Sequence, residues 1–219
     1  MKAPSPTCAV CGTPCRPPFR TPTAELAPDL DGRPGEPARS TLKRWVALCS
    51  GCGAAAPDLA ALPPEAAAIV SRAEIPAEPD RFLRWSLIAA ALGNPVAAAE
   101  AILQAAWHRE DGGQDAADLR RRAAADWPGD PLRRIDILRR AGSLAEADAV
   151  AATLTNLDED GRRILAFQRE RIAAADTARH SISSALRNPT RTPHVSHVQK
   201  STAKPGLFAR LFGPSSSKS

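Results

Sequence analysis

Two short runs, Cys8-Ala9-Val10-Cys11-Gly12 and Cys49-Ser50-Gly51-Cys52-Gly53, constrain this chain more than any other feature of it. Two residues between thiols let backbone N–H groups turn toward sulfur while both side chains reach one ion. The Gly after each pair tolerates the positive φ of a tight knuckle. Four thiolates close a tetrahedral shell with no position left for water or substrate. The pattern therefore predicts one structural Zn2+ held by Cys8, Cys11, Cys49 and Cys52.

The stretch between the knuckles, Gly12 to Leu48, is 37 residues long, beyond the roughly 15–20 of a compact site. An extended hairpin accommodates it. Thr41 to Leu48 has strand-like features and leads directly into Cys49. Arg20 to Leu26 is its expected partner, and Pro28-Asp29-Leu30-Asp31-Gly32-Arg33-Pro34-Gly35 supplies turns between them. A disulfide pair is disfavoured by the cytoplasmic placement argued below, and a thioredoxin-like dithiol needs a βαβ context that is absent. Cys15 is the odd thiol, either a spare buried side chain or a substitute ligand, with the first favoured.

At 219 residues, 43% of them apolar, the chain has material for one ordinary core and a small module. No stretch approaches the ~20 uncharged apolar residues of a membrane span, and the first residues lack the apolar run of a signal peptide. The expected location is the cytoplasm. The net charge of +5 is unevenly placed: Arg187 to Ser219 holds six Lys or Arg and no acid, so the rest of the chain is close to neutral. The high pI belongs to the tail and does not show a basic face on the folded part.

From Pro64 onward, caps and apolar spacing predict helices. Asp80 opens one through Leu92. Asn94 caps a second, with Pro95 at its first position, to about Arg109. Asp115 to Asp126 is a weaker helix in which Arg120-Arg121-Arg122 reads as a solvated face. Asp130-Pro131 starts another through Arg140. Ser143 with Glu146, and Asn156 with Glu159, have capping-box spacing for the last two. The final helix is expected to run on through His180, Ile182 and Leu186. The breaks at Gly93 and Gly142 are each followed five residues later by a small Ala, the grammar of tetratricopeptide-like hairpins.

The predicted fold class is thus mainly α. A small β zinc-ribbon module with a long inserted hairpin (1–62) precedes a tetratricopeptide-like helical domain (63–187) and a disordered basic tail (188–219). Within the tail, Leu207, Phe208, Leu211 and Phe212 share one face of a short helix, a candidate for docking to a protein groove or to a membrane surface.

The sequence shows no phosphate-binding Gly-rich loop, nucleophile elbow or His-Glu-x-x-His run. The expectation is a non-enzymatic adaptor or scaffold that binds a protein partner. The alternative is nucleic-acid binding through Arg16, Arg20, Arg33, Arg39, Lys43 and Arg44, with only Phe19 and Trp45 available for base stacking.

The order of these features resembles an uncharacterised bacterial family. The resemblance is carried by the two Cys-x-x-Cys-Gly knuckles, Pro28 to Pro34, Ser40-Thr41-Leu42, Trp45-Val46 and Asp136-Ile137-Leu138-Arg139-Arg140-Ala141-Gly142. Members of that family have an N-terminal two-knuckle zinc ribbon and a C-terminal tetratricopeptide-like helical region. The resemblance implies the fold and the zinc, and no activity. This chain departs from the pattern with Gly53-Ala54 where Gly-Tyr is usual.

Overall fold

Asp80, Asn94 and Asp130 each accept a backbone N–H from the first turn that follows, and each begins a helix where the sequence predicts one. The computed structural model describes residues 5–187. The four apolar residues Leu207, Phe208, Leu211 and Phe212 lie outside that range. Among the described residues the chain is mostly helical, with one two-stranded antiparallel sheet: β1 (Ala47–Leu48) pairs with β2 (Ala55–Ala56). The helices are α1 (Ala66–Val70), α2 (Glu74–Ala77), α3 (Arg81–Ala91), α4 (Pro95–Asp111), α5 (Ala117–Ala125), α6 (Pro131–Arg140), α7 (Leu144–Thr153), α8 (Glu159–Ala173) and α9 (Ile182–Leu186).

Helix α3 packs along α4, and α6 along α7. The two turns between these pairs are built alike. Gly93 and Gly142 sit at φ 73° and 74°, and the next residue's N–H reaches back to a carbonyl five positions earlier: Asn94 to Ala89, Ser143 to Leu138. These bonds satisfy carbonyls that a helix end would leave orphaned. The small residues expected at the crossings, Ala98 and Ala147, are both buried.

Three local expectations differ from the structure. Thr41 to Leu48 is not a strand: Arg39–Arg44 form a 3-10 helix, and only its last two residues, Ala47 and Leu48, enter the sheet. Its partner is β2 just beyond the second knuckle, not Arg20 to Leu26. The reason is local. Glu36 accepts the Ser40 N–H and hydroxyl, and Leu42 and Val46 bury together at a spacing of four, which suits a helical turn as well as a strand.

The expected capping boxes also fail. Ser143 makes no side-chain cap, and α8 is capped by Asp158 through the Gly161 N–H rather than by Asn156. Finally, α8 does not continue to Leu186. It stops at Ala173, with Ala175 in a left-handed conformation at φ 52°, and α9 is a separate short helix.

One apolar cluster runs through the described residues. Cys8, Leu42, Val46 and Cys49 from the knuckle region belong to the same cluster as Phe82, Ile88, Leu103, Trp107, Leu119 and Ile135 from the helices. The long segment between the knuckles explains how. Its turn at Pro28–Pro34 lies against the helices: Asp29, Leu30, Asp31 and Arg33 are all buried. The Leu30 N–H donates to His180 O and the Ile182 N–H to Pro28 O, tying the α8–α9 connection to the same turn.

Candidate metal centre

The two knuckles have matching backbones. In each, the Gly N–H donates to the carbonyl of the first Cys, Gly12 to Cys8 at 2.9 Å and Gly53 to Cys49 at 3.0 Å, with φ of 69° and 75°. Gly51 has a different task. A Cβ there would lie 2.2 Å from Thr13 Oγ1 and 3.2 Å from Cys11 Sγ. Only hydrogen at this position lets the second knuckle close on the first.

The structure brings the four predicted sulfurs together: those of Cys8, Cys11, Cys49 and Cys52 all lie within 4.8 Å of one another. Cys8 and Cys52 sulfurs are 3.8 Å apart, and those of Cys11 and Cys49 are 3.6 Å apart. A tetrahedron with Zn–S bonds of about 2.3 Å has edges of about 3.8 Å. The spacing is far from the ~2.05 Å of an S–S bond, and all the cysteines are free. The residues therefore fit a tetrahedral thiophilic cation such as zinc. Cys15 is half-buried and stands outside the cluster.

The environment of the thiols is graded. Cys8 and Cys49 are buried, Cys52 is partly covered and Cys11 is exposed. Burial pushes the metal-free Cys52 thiol up to about 12 and raises Cys8 as well. The Thr13 hydroxyl and N–H lower Cys11 to about 6. A bound cation deprotonates coordinating thiols outright and overrides this spread.

Arg84 of α3 joins the second knuckle to the helices. Arg84 is 8% exposed, and its guanidinium donates to Gly53 O at 2.9 Å, to Pro76 O at 3.2 Å and to Glu78 O. One side chain thus satisfies carbonyls from the knuckle, from α2 and from the α2–α3 connection.

The middle of the inserted segment meets a set of charges that sequence reasoning missed. Asp31, fully buried, accepts hydrogen bonds at one oxygen from Trp107 Nε1 (2.9 Å), Arg120 Nη1 (3.0 Å) and Arg140 Nη1 (2.8 Å). Its other oxygen takes the Arg33 N–H. Glu110 accepts from Arg120 Nε and Nη2 and from Arg140 Nη2. Burial alone would raise the Asp31 carboxyl, but the two guanidinium groups outweigh it and hold it at about 2. Arg120 is therefore no part of a solvated face; it is 1% exposed. A signal was present in the sequence: Pro28 to Pro34 and Asp136 to Gly142, quoted separately above, meet through Asp31 and Arg140.

The cations proposed for nucleic-acid contact are partly committed within the fold. Arg33 is buried, pairs with Asp111 at 2.6 Å and lies over the Trp107 ring. Arg39 pairs with Asp29. Phe19 is covered by the Arg44 guanidinium at 4.1 Å from the ring centroid, and Trp45 packs edge-on against Trp107.

No family model, curated protein or solved structure matches this chain. The site's reading therefore rests on its own geometry. Among the described residues, no helix is long and apolar enough to cross a membrane.

Proposed function

We propose that this chain is a non-enzymatic cytoplasmic protein that holds one structural Zn2+ and presents tetratricopeptide-like helical hairpins to a protein partner. The observation that carries the metal assignment is the convergence of four sulfurs, from two knuckles 37 residues apart, within 4.8 Å of one another. Four thiolates satisfy the cation completely, so its role is to hold the knuckles together.

The partner assignment is supported by a groove of about 360 Å³ between the inserted segment and α3–α4, lined by Phe19, Trp45, Pro57, Trp85, Glu100 and Gln104. Half-buried aromatics beside a few polar groups suit a peptide or helix edge. The nucleic-acid alternative has less to draw on, because two of its cations, Arg33 and Arg39, are already paired with Asp111 and Asp29.

The test is capture of partners from native cells with tagged full-length protein, repeated after nuclease and with Trp85→Ala. The expected result is a discrete protein that survives nuclease and is lost with the Trp85 variant. Capture abolished by nuclease and indifferent to Trp85 would overturn the interaction reading in favour of nucleic acid.

A further inference from the structure

The four sulfurs are not equally protected. Cys11 is exposed, whereas Cys49, its neighbour across the site at 3.6 Å, is 4% exposed. Exposed thiolates are the ones that meet oxidants, and a second thiolate already in reach converts the first oxidation product into a disulfide. Cys11 and Cys49 also happen to be the two ends of the inserted segment.

We propose that the site, on the zinc reading given above, is a peroxide-responsive clasp in which Cys11 and Cys49 form a disulfide that releases the metal while keeping the inserted segment closed. The Cys11 thiolate attacks one oxygen of hydrogen peroxide. The O–O bond breaks, hydroxide leaves, and the transferred OH makes Cys11 a sulfenic acid. The Cys49 thiolate then attacks the Cys11 sulfur, the S–S bond forms, and a second hydroxide departs. Two thiolates have lost two electrons, peroxide has gained them, and solvent protons convert the products to water. The two remaining thiolates, Cys8 and Cys52, are too few to retain the cation against a chelator.

What separates this from simple oxidative damage is the position of the bond. Gly12 to Leu48 includes Asp31, which is seated between Trp107, Arg120 and Arg140. A Cys11–Cys49 bond closes the same loop that the metal closes and restricts the unfolded chain in the same sense. The oxidised, metal-free protein therefore keeps the Asp31 contacts. Reduced, metal-free protein has no such tether.

The experiment uses zinc-loaded full chain carrying Cys15→Ser, which removes the bystander thiol. It is treated with excess hydrogen peroxide in the presence of a chromophoric chelator, then mapped by peptide mass spectrometry and melted by circular dichroism. The expected result is release of one zinc per chain, a Cys11–Cys49 cross-linked peptide and recovery of zinc binding after dithiothreitol. The oxidised form should melt close to the zinc form and clearly above reduced, chelator-treated protein. Zinc retained under excess peroxide overturns the proposal, as does a cross-link within one knuckle or an oxidised form no more stable than the reduced apo protein. Protein that takes up no zinc before any peroxide is added overturns the metal reading itself, and that result is distinct from bound zinc that peroxide cannot displace.

Discussion

Arg140 Nη1 donates to Asp31 Oδ2 at 2.8 Å across 109 residues of chain, in a pair where Asp31 is fully buried and Arg140 nearly so. The contact joins the segment between the cysteine knuckles to the end of α6. Arg120 and Trp107 reach the same oxygen from α5 and α4, so three helices are fastened to one carboxylate. A metal that closes the knuckles also fixes the ends of the segment that delivers Asp31.

Removing the charge at Asp31 should be costly. Asp31→Asn leaves Arg120 and Arg140 buried with Glu110 as their remaining hydrogen-bonded carboxylate, and breaking a buried network typically costs about 3–5 kcal/mol. The effect is also pH-dependent. With its native pKa held at about 2 against an ordinary 3.8, Asp31 contributes stability that is present above pH ~4 and lost as pH falls toward 2. That shift corresponds to about 2 kcal/mol. Urea denaturation at several pH values should show the gap between wild type and Asp31→Asn shrinking by about that amount in acid. A gap independent of pH would contradict the ion pairing.

Gly32 stands at φ 83°, and a Cβ there would lie 2.4 Å from Arg133 Nε. Arg133 donates that nitrogen's hydrogen to Asp31 O and holds Glu100 with its other two. Gly32→Ala should destabilise by on the order of 1–3 kcal/mol, from backbone strain and displacement of Arg133. Thermal melting checks this; a change within experimental error would mean the turn yields freely.

Much of this architecture is written in short-range signals and was legible in the sequence. Asp80, Asn94 and Asp130 cap helices because their side chains reach N–H groups two or three residues on, a relation local enough to read directly. The knuckles are legible for the same reason. The inserted segment is not, because its conformation is decided by partners about 76 to 109 residues away. Leu42 and Val46, four apart, fit a strand face and a helical turn equally, and the Glu36–Ser40 contact decides for the turn. Arg120 in a run of three arginines reads as a solvated face, because its partners Asp31 and Glu110 come from other elements. At Ala175 the helix ends without the Gly that marks the Gly93 and Gly142 breaks.

Arg84 should matter to the metal without touching it. Arg84→Met leaves the Gly53, Pro76 and Glu78 carbonyls without their donor and removes the support of the residue following Cys52. Losing outer support of this kind typically weakens metal binding about 10–100-fold. Competition with a chromophoric chelator measures the change. Unaltered affinity would show that the second knuckle is held without α3.

The central claim is that Cys8, Cys11, Cys49 and Cys52 hold one structural zinc. Elemental analysis of native protein, combined with thiol titration before and after denaturation, tests it most directly. The account predicts close to one zinc per chain, with four of the five cysteines protected from the reagent until the metal is removed. Protein without metal, in which all the thiols titrate freely in the native state, would contradict it.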